Sequence, residues 1–444
     1  MAPGVWFSRR RARSMVVSLA VGATLLPLGH TPAEARTPTA PKIAIHEGIR
    51  AGDVDSGPPQ IPVVIPATTR TKIQSAKTVT FSDLTPADAW AKPAIKYVAA
   101  TNPWMLDFEP NPDGSYAFQP DVLETRKYFA RSVVEAFAPD QLPDPSIVLS
   151  DVDPTSPWYP YVAVAVANGW LPADANGAFH PDDPVTMAIV HRALVLALGL
   201  RPAAVALNHI HTADGSTFKV PANFGTTLLG MRLGLRYNAP TGKESMDVGP
   251  LDDLSRAQVA YSLFHAATQP SWNIDDLLTQ YADVELPHLG PRRTALVQWG
   301  IKWVGYPYIW GGEWGLTKPE PAGLGGQPRS GFDCSGFSWW LLRADDGVWK
   351  VAPPRPYKGW TLPQRTSAEM AARTPKRLGY AKLLPGDLMF YDGDGDGVTD
   401  HVDTYIGNGF ALDSSSTPGG VTIMWVGSGW YRDHFEYGRQ ILPD

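Results

Sequence analysis

Apolar residues recur at helical spacing in short stretches between residues 79 and 270: Phe129, Val133, Val134 and Phe137, then Ile189, Val190, Leu194 and Leu198, then Val259, Leu263 and Phe264. A hydroxyl side chain opens each stretch, at Thr125, Thr186 and Ser255. Such a residue accepts from an exposed N–H of the first turn, so three capped helices are predicted. Two more helical stretches, Trp90 to Ala100 and Trp158 to Asn168, precede the first two. After Pro291 the pattern changes. Leu296, Val297, Gly300 and Ile301 still mark a helix, and Phe337 to Leu342 another, but His401 to Gly407 and Phe410 to Asp413 read as strands joined by the turn Asn408-Gly409. The chain therefore predicts an all-helical region followed by an α+β domain with a small antiparallel sheet.

The helical region repeats itself at long period. Phe118-x-Pro120 followed by Thr125 recurs 61 residues later as Phe179-x-Pro181 followed by Thr186, and Pro250 with Ser255 makes a third, weaker copy. Turns at Asp113-Gly114 and Asn176-Gly177 precede the first two corners, and acidic openings, Phe81-Ser82-Asp83-Leu84 and Ser150-Asp151-Val152-Asp153, stand earlier still. This order resembles the S-layer homology (SLH) module. The resemblance implies three modules, over 79–139, 140–205 and 206–270, that bind an anionic secondary polymer of the bacterial cell wall. By the same resemblance Arg126 and Arg256, which follow the capping Thr125 and Ser255, are the polymer-binding cations, each suited to a two-pronged contact with an acidic sugar group. The second copy departs from the motif with Met187.

Composition adds an address and removes some functions. Residues 1–35 carry Arg9-Arg10-Arg11-Ala12-Arg13, an apolar run from Met15 to Leu28 and Ala33-Glu34-Ala35, the three parts of a secretory signal peptide. Residues 36–78, rich in Pro, Thr and Ala, read as a linker, and 271–290 as a second one. No other stretch approaches the ~20 apolar residues that span a bilayer, so no transmembrane segment is expected in the mature chain. The formal charge of −6 over 444 residues argues against nucleic acid as a partner.

The chain has one cysteine, which excludes an internal disulfide or a cysteine-based zinc site. Gly331-Phe332-Asp333-Cys334-Ser335-Gly336 opens directly into an apolar helical run, placing Cys334 at a helix N-terminus, where the macrodipole favours the thiolate. His401 and His434 are the histidines that follow it. His401 opens a strand, and the Asn408-Gly409 turn brings Asp413 onto the neighbouring strand, where a carboxylate can orient the imidazole. His434 lacks that context.

These residues resemble the NlpC-type cysteine peptidases, a papain-like family that cuts peptidoglycan stem peptides. The matching pieces run in order: Tyr308-x-Trp310-Gly311-Gly312, Phe332-Asp333-Cys334-Ser335-Gly336, Leu362-Pro363 with Arg365-Thr366-Ser367, Leu384-Pro385-Gly386-Asp387-Leu388, and His401-Val402 with Tyr405-Ile406-Gly407-Asn408-Gly409. The resemblance implies Cys334 as nucleophile, His401 as base and then acid, Asp413 as the third residue, and Tyr308, Trp310, Asp333 and Ser335 around the substrate. The bond it implies joins γ-D-glutamyl to diaminopimelate or lysine. The same fold also serves amidase and transpeptidase chemistry, or a silent domain whose helical repeats do the binding.

Two features depart from the family. A long insert, Glu313 to Gly331, lies beside the nucleophile and reads as a lip over the site. Asp392-Gly393-Asp394-Gly395-Asp396-Gly397 reads either as a solvated acidic turn or as the opening of a calcium loop with Asp403 at its twelfth position. No cofactor is otherwise expected. Asp403 also alternates onto the face of His401, where relatives commonly have glycine.

Overall fold

The protein was analysed as a computed structural model, in which residues 79–314, 331–342 and 362–442 are described. All of them fall in one of the chain's two compact units, Glu47–Asp444. The expected leader, the linker up to residue 78 and most of the lip from Glu313 to Gly331 lie outside the described residues.

The helical region contains α1 (Arg126–Phe137), α2 (Tyr159–Ala167), α3 (Met187–Ala197), α4 (Arg201–Asn208), α5 (Phe224–Arg232) and α6 (Arg256–Ala267). Ahead of them, Pro86–Thr101 winds through a 3-10 turn, an α turn and a π turn. The first-turn amides of a helix need acceptors from outside it. In α1, Arg126 and Lys127 donate to Asp183 and Pro181 carbonyls; in α3, Met187 and Ala188 donate to Asp252 and Pro250; in α6, Arg256 and Ala257 donate to Val122 and Pro120. Each helix thus leans on the turn before the next, and the last leans on the first. A ring of three bonds closes the centre: Glu124 N to Leu254 O, Leu254 N to Val185 O, and Val185 N to Glu124 O, each 2.9 Å.

Thr186 and Ser255 make the expected side-chain caps, but Thr125 does not, and its hydroxyl is buried without a hydrogen bond. The acidic openings brace the Phe-x-Pro corners. Asp83 accepts from Phe118 N and Gln119 N, and Asp151 from Phe179 N and His180 N. The third copy has Val248 where the others have phenylalanine, and the neighbouring Asp247 faces Arg236 instead.

The stretch expected as a linker, 271–290, is folded. It forms α7 (Ser271–Gln280) and a short strand, Glu285–Leu286, paired in parallel with His211–Thr212. Leu277, Tyr281, Val284 and Leu286 are buried, and the Tyr281 hydroxyl donates to Ile423 O at 2.7 Å.

Beyond it, α8 (Pro291–Ile301) and α9 (Cys334–Leu342) pack on a five-stranded antiparallel sheet. Its strands are β1 (Leu388–Tyr391), β2 (His401–Gly407), β3 (Phe410–Ser415), β4 (Gly420–Trp425) and β5 (Phe435–Arg439), in the order β4-β3-β2-β1-β5. Two short helices, α10 (Ser367–Ala372) and α11 (Trp430–Asp433), also belong to this domain. One sheet face, with Phe390, Val402, Ile406 and Leu412, joins the core under the helices, where Trp299, Trp303, Phe332 and Trp340 stack edge and face. The other, with Met389, Tyr391 and Tyr405, lies under Tyr380, Trp430, Tyr431 and Phe435. Period-two alternation sends His401 and Asp403 to that second, aromatic face.

The helical region and the sheet share a packed joint at the β3–β4 hairpin. Arg236, with its side chain 1% exposed, pairs with Asp247 at 3.0 Å and Asn238 at 3.1 Å and also donates to the carbonyl of Gly419. That same carbonyl accepts from Tyr308 N at 2.8 Å.

Candidate active site

The N-terminus of α9 and the first residue of β2 build the site. Asp333 precedes Cys334 and caps the helix, its Oδ1 accepting from Gly336 N at 2.6 Å. Cys334 is therefore held as the first helical residue, at the positive end of the dipole, and is 9% exposed. Gly336 permits the approach of a second chain segment, since a Cβ there would lie 2.0 Å from Gly312 O.

His401 is 13% exposed in its side chain and contacts Cys334, Asp403 and Asp413. Its Nε2 lies 3.0 Å from Asp413 Oδ1 and 3.1 Å from Asp403 Oδ1, which leaves Nδ1 for the thiol side. Asp413 Oδ2 in turn accepts from Ser415 Oγ at 2.8 Å and Tyr431 OH at 3.4 Å. Burial works against a charged imidazole, but the Asp403 charge and the hydrogen bonds from Asp403, Asp413 and Cys334 outweigh it and hold the His401 pKa well above the ordinary histidine value. Burial, followed by the charge of Asp413, pushes Asp403 up to about 7. Asp413 moves the other way. Its burial is more than offset by the hydrogen bond and charge of His401, which keep it below the usual carboxylate range.

Tyr308 is brought against the same cluster; burial first, then the Cys334 and Asp333 charges, raises its phenol. Trp310 is 71% exposed beside it, free to meet a ligand. Asp333 and Ser335 are in place but already engaged. Arg365 donates to Asp333 Oδ1 at 3.0 Å, Asp333 Oδ2 at 3.2 Å and Ser335 Oγ at 2.9 Å, while also binding Gly312 O and Glu313. Arg365 is the residue that sequence reasoning passed over: it stood in a quoted motif, but nothing local showed that it would clamp two carboxylates. His434, at the C-terminal end of α11, hydrogen-bonds Trp430 O and takes no part among the described contacts of Cys334.

The expectation for Arg256 needs correction. Arg256 is not available to a polymer, because it is 2% exposed and bonded to Glu124, Asp107, Phe118 O and Met105 O. Arg126 spends Nε and Nη2 on Phe179 O and Pro172 O, at 2.7 Å each, with its guanidinium over the Phe179 ring. Both arginines tie one repeat to another. Of the carboxylates Asp392, Asp394, Asp396 and Asp403 expected to hold calcium, Asp403 is turned by β2 onto His401. Asp392, Asp394 and Asp400 do lie together, yet Asp392 accepts from Gly395, Asp396 and Gly397 amides, as a self-braced turn does.

A thiol at a helix N-terminus, an imidazole beside it and a buried carboxylate behind the imidazole form a nucleophile, base and orienter, the arrangement of acyl-transfer enzymes. Comparison with known sequences agrees. Residues 305–439 match the NlpC/P60 family, and residues 149–186 match the S-layer homology domain. The C-terminal domain is thus an NlpC/P60 domain, of a family of peptidoglycan hydrolases that are cysteine peptidases.

Among its relatives is the bifunctional muramidase/DL-endopeptidase CwlT of Bacillus subtilis, 33% identical over 31% of this chain and 34% of that protein. The murein DD-endopeptidase MepH of Escherichia coli is 29% identical over 31% of this chain and 42% of that one. A gamma-D-glutamyl-L-lysine dipeptidyl-peptidase of Bacillus cereus is 26% identical over 43% of this chain and 48% of that one. The chain therefore spans less than half the length of these three. A solved NlpC/P60 family protein from Bacillus cereus is 28% identical over 35% of this chain and 42% of that one, with a TM-score of 0.26. Among the described residues no helix is long and apolar enough to cross a membrane.

Proposed function

We propose that this protein is a secreted, wall-anchored cysteine endopeptidase that hydrolyses peptidoglycan stem peptides at the bond from γ-D-glutamyl to diaminopimelate or lysine. The observation that carries the reading is the Cys334, His401 and Asp413 constellation, with Asp413 Oδ1 3.0 Å from His401 Nε2. The thiolate adds to the amide carbonyl, and the developing oxyanion is met by the Cys334 main-chain N–H. Imidazolium His401 gives its proton to the leaving amine, the C–N bond breaks and an acyl-enzyme remains. Neutral His401 then takes a proton from water, whose oxygen attacks the thioester and releases the acid and the thiol. The gamma-D-glutamyl-L-lysine dipeptidyl-peptidase among the relatives supports the bond chosen.

The helical region acts as three SLH modules that hold the enzyme on a wall polymer. The three equivalent helix N-termini and their closing ring of backbone bonds support a third module at 206–270. With Arg256 enclosed, the polymer is held by other groups of the repeats. The leader at 1–35 directs export.

The deciding experiment is mass spectrometry of muropeptides after incubating purified walls with the protein and with Cys334→Ala. Cleavage at the γ-D-glutamyl bond by the wild type alone, with both proteins sedimenting on walls, is expected. Walls from several sources left intact by both proteins would sink the reading in favour of a binding protein, and product masses from another bond would assign amidase or transpeptidase chemistry.

A further inference from the structure

The mechanism above needs one carboxylate behind His401, and the site holds two. Asp403 and Asp413, both wholly buried in their side chains, approach the same ring atom, Nε2, at 3.1 and 3.0 Å. A single N–H cannot satisfy both fully, and two carboxylates ionised together beside a thiolate–imidazolium pair would bury two net negative charges away from water. The two are not equivalent. Asp413 Oδ2 accepts from Ser415 and Tyr431 hydroxyls, whereas Asp403 Oδ2 is buried outside any well-formed hydrogen bond, with the Tyr391 phenol and Asp413 as the polar groups facing it. Two carboxylates this close hold a proton between them, and it belongs on the one with fewer donors.

We propose that Asp403 is a positioning residue for His401: with Asp413 it forms a two-carboxylate clamp on Nε2 in which Asp403 carries a proton below neutrality and releases it above, prolonging the imidazolium. This inference rests on the assignment of Cys334 and His401 as nucleophile and base. The groups facing the clamp come from every neighbouring element: His401 on β2 itself, Asp413 on β3, Tyr391 on β1, Tyr431 on α11, Cys334 on α9, Tyr308 before the insert and Asp400 in the preceding turn. The Tyr391 and Tyr431 phenols are held well above their ordinary values, by burial first and then by charges that include these carboxylates, so they stay neutral and do not compete for the role. Below neutrality one ionised carboxylate orients the ring. Above it both are ionised, and an imidazolium between two carboxylates gives up its proton at higher pH than one beside a single partner.

The test uses the chain's one cysteine as its own reporter. The rate of Cys334 alkylation by iodoacetamide is followed against pH in the full chain, its upper inflection marking loss of the His401 proton beside the thiolate. Asp403→Asn is expected to move that inflection down by about 1 to 3 pH units and leave the lower one in place. The same downward move is expected in the high-pH limb of kcat/KM on muropeptides. A profile superimposable on the wild type, or a rate reduced equally at all pH, would overturn the proposal. Should Asp403→Asn fail to fold, histidine NMR of the wild type with Cys334 blocked as the methyl disulfide replaces it, His401→Gln assigning the signal. A His401 resonance titrating well above ~6.5, with a second inflection near neutrality from Asp403, supports the clamp, and a single ordinary titration refutes it. Because alkylation needs no peptidoglycan, failure to cleave walls and failure of the clamp are separate results.

Discussion

At the scale of single residues, the site stores charge that its surroundings make unusual. His401 is held protonated beyond its ordinary range and Asp403 is held protonated up to about 7. Both values are raised over those of an unfolded chain. Each therefore contributes stability that is complete below the unfolded pKa, near ~4 for Asp403 and ~6.5 for His401, and that is lost as pH rises through the folded one. Thermal unfolding followed from pH 6 to pH 9 should accordingly show a midpoint that falls across this window. In His401→Gln the fall should be shallower, and a midpoint with the same pH slope in both proteins would contradict the charge assignment.

At the scale of elements, α9 depends on a gap that only glycine leaves. A Cβ on Gly336 would stand 2.0 Å from Gly312 O and 2.8 Å from the Arg365 guanidinium. The first of these is backbone and cannot turn away. Gly336→Ala should therefore separate the Tyr308–Gly312 turn from α9, lower the unfolding free energy by about 1–3 kcal/mol, as overpacking of a filled interior does, and reduce Cys334 alkylation and wall cleavage together. Denaturant titration and the two activity assays check this; unchanged cleavage would mean that the turn does not position the nucleophile.

Much at this scale was legible beforehand. The cysteine helix, the Asn408-Gly409 hairpin and the period-two alternation that puts Asp403 beside His401 are local patterns, and the hairpin places Asp413 as read. The partners of Arg256 were not legible. Glu124 lies 132 residues away and Asp107 149, and a Thr-Arg pattern gives no sign of whether its guanidinium faces solvent or another repeat. Arg365 was hidden for the same reason, its carboxylates lying 32 and 52 residues upstream. The polar Ser271-Trp272-Asn273-Ile274-Asp275-Asp276 looked like a linker because α7 buries a narrow stripe, with Leu277 fully enclosed.

At the scale of the whole molecule, the helical repeats and the sheet are welded through Arg236. Its partners are a fully buried carboxylate, Asp247, and a carbonyl on the hairpin that also anchors Tyr308. Removing the cation strands Asp247, a loss of about 3–5 kcal/mol for a broken buried pair. Arg236→Met should lower stability by that order in urea and raise KM for muropeptides through Tyr308, while Arg236→Met with Asp247→Asn should recover much of the stability. A double variant no more stable than the single one would show that the pair is not what holds the joint.

The Gly419 carbonyl, shared between Arg236 and Tyr308, bears on how such a protein can be taken apart and rebuilt. A catalytic cassette cut at Pro291 would leave the hairpin's anchor behind, on the other side of the cut. Fusion of this domain to a foreign targeting module, or its replacement by a related one, would have to carry residues 206–290 along as part of the cassette, so the unit of exchange is larger than the unit of family resemblance.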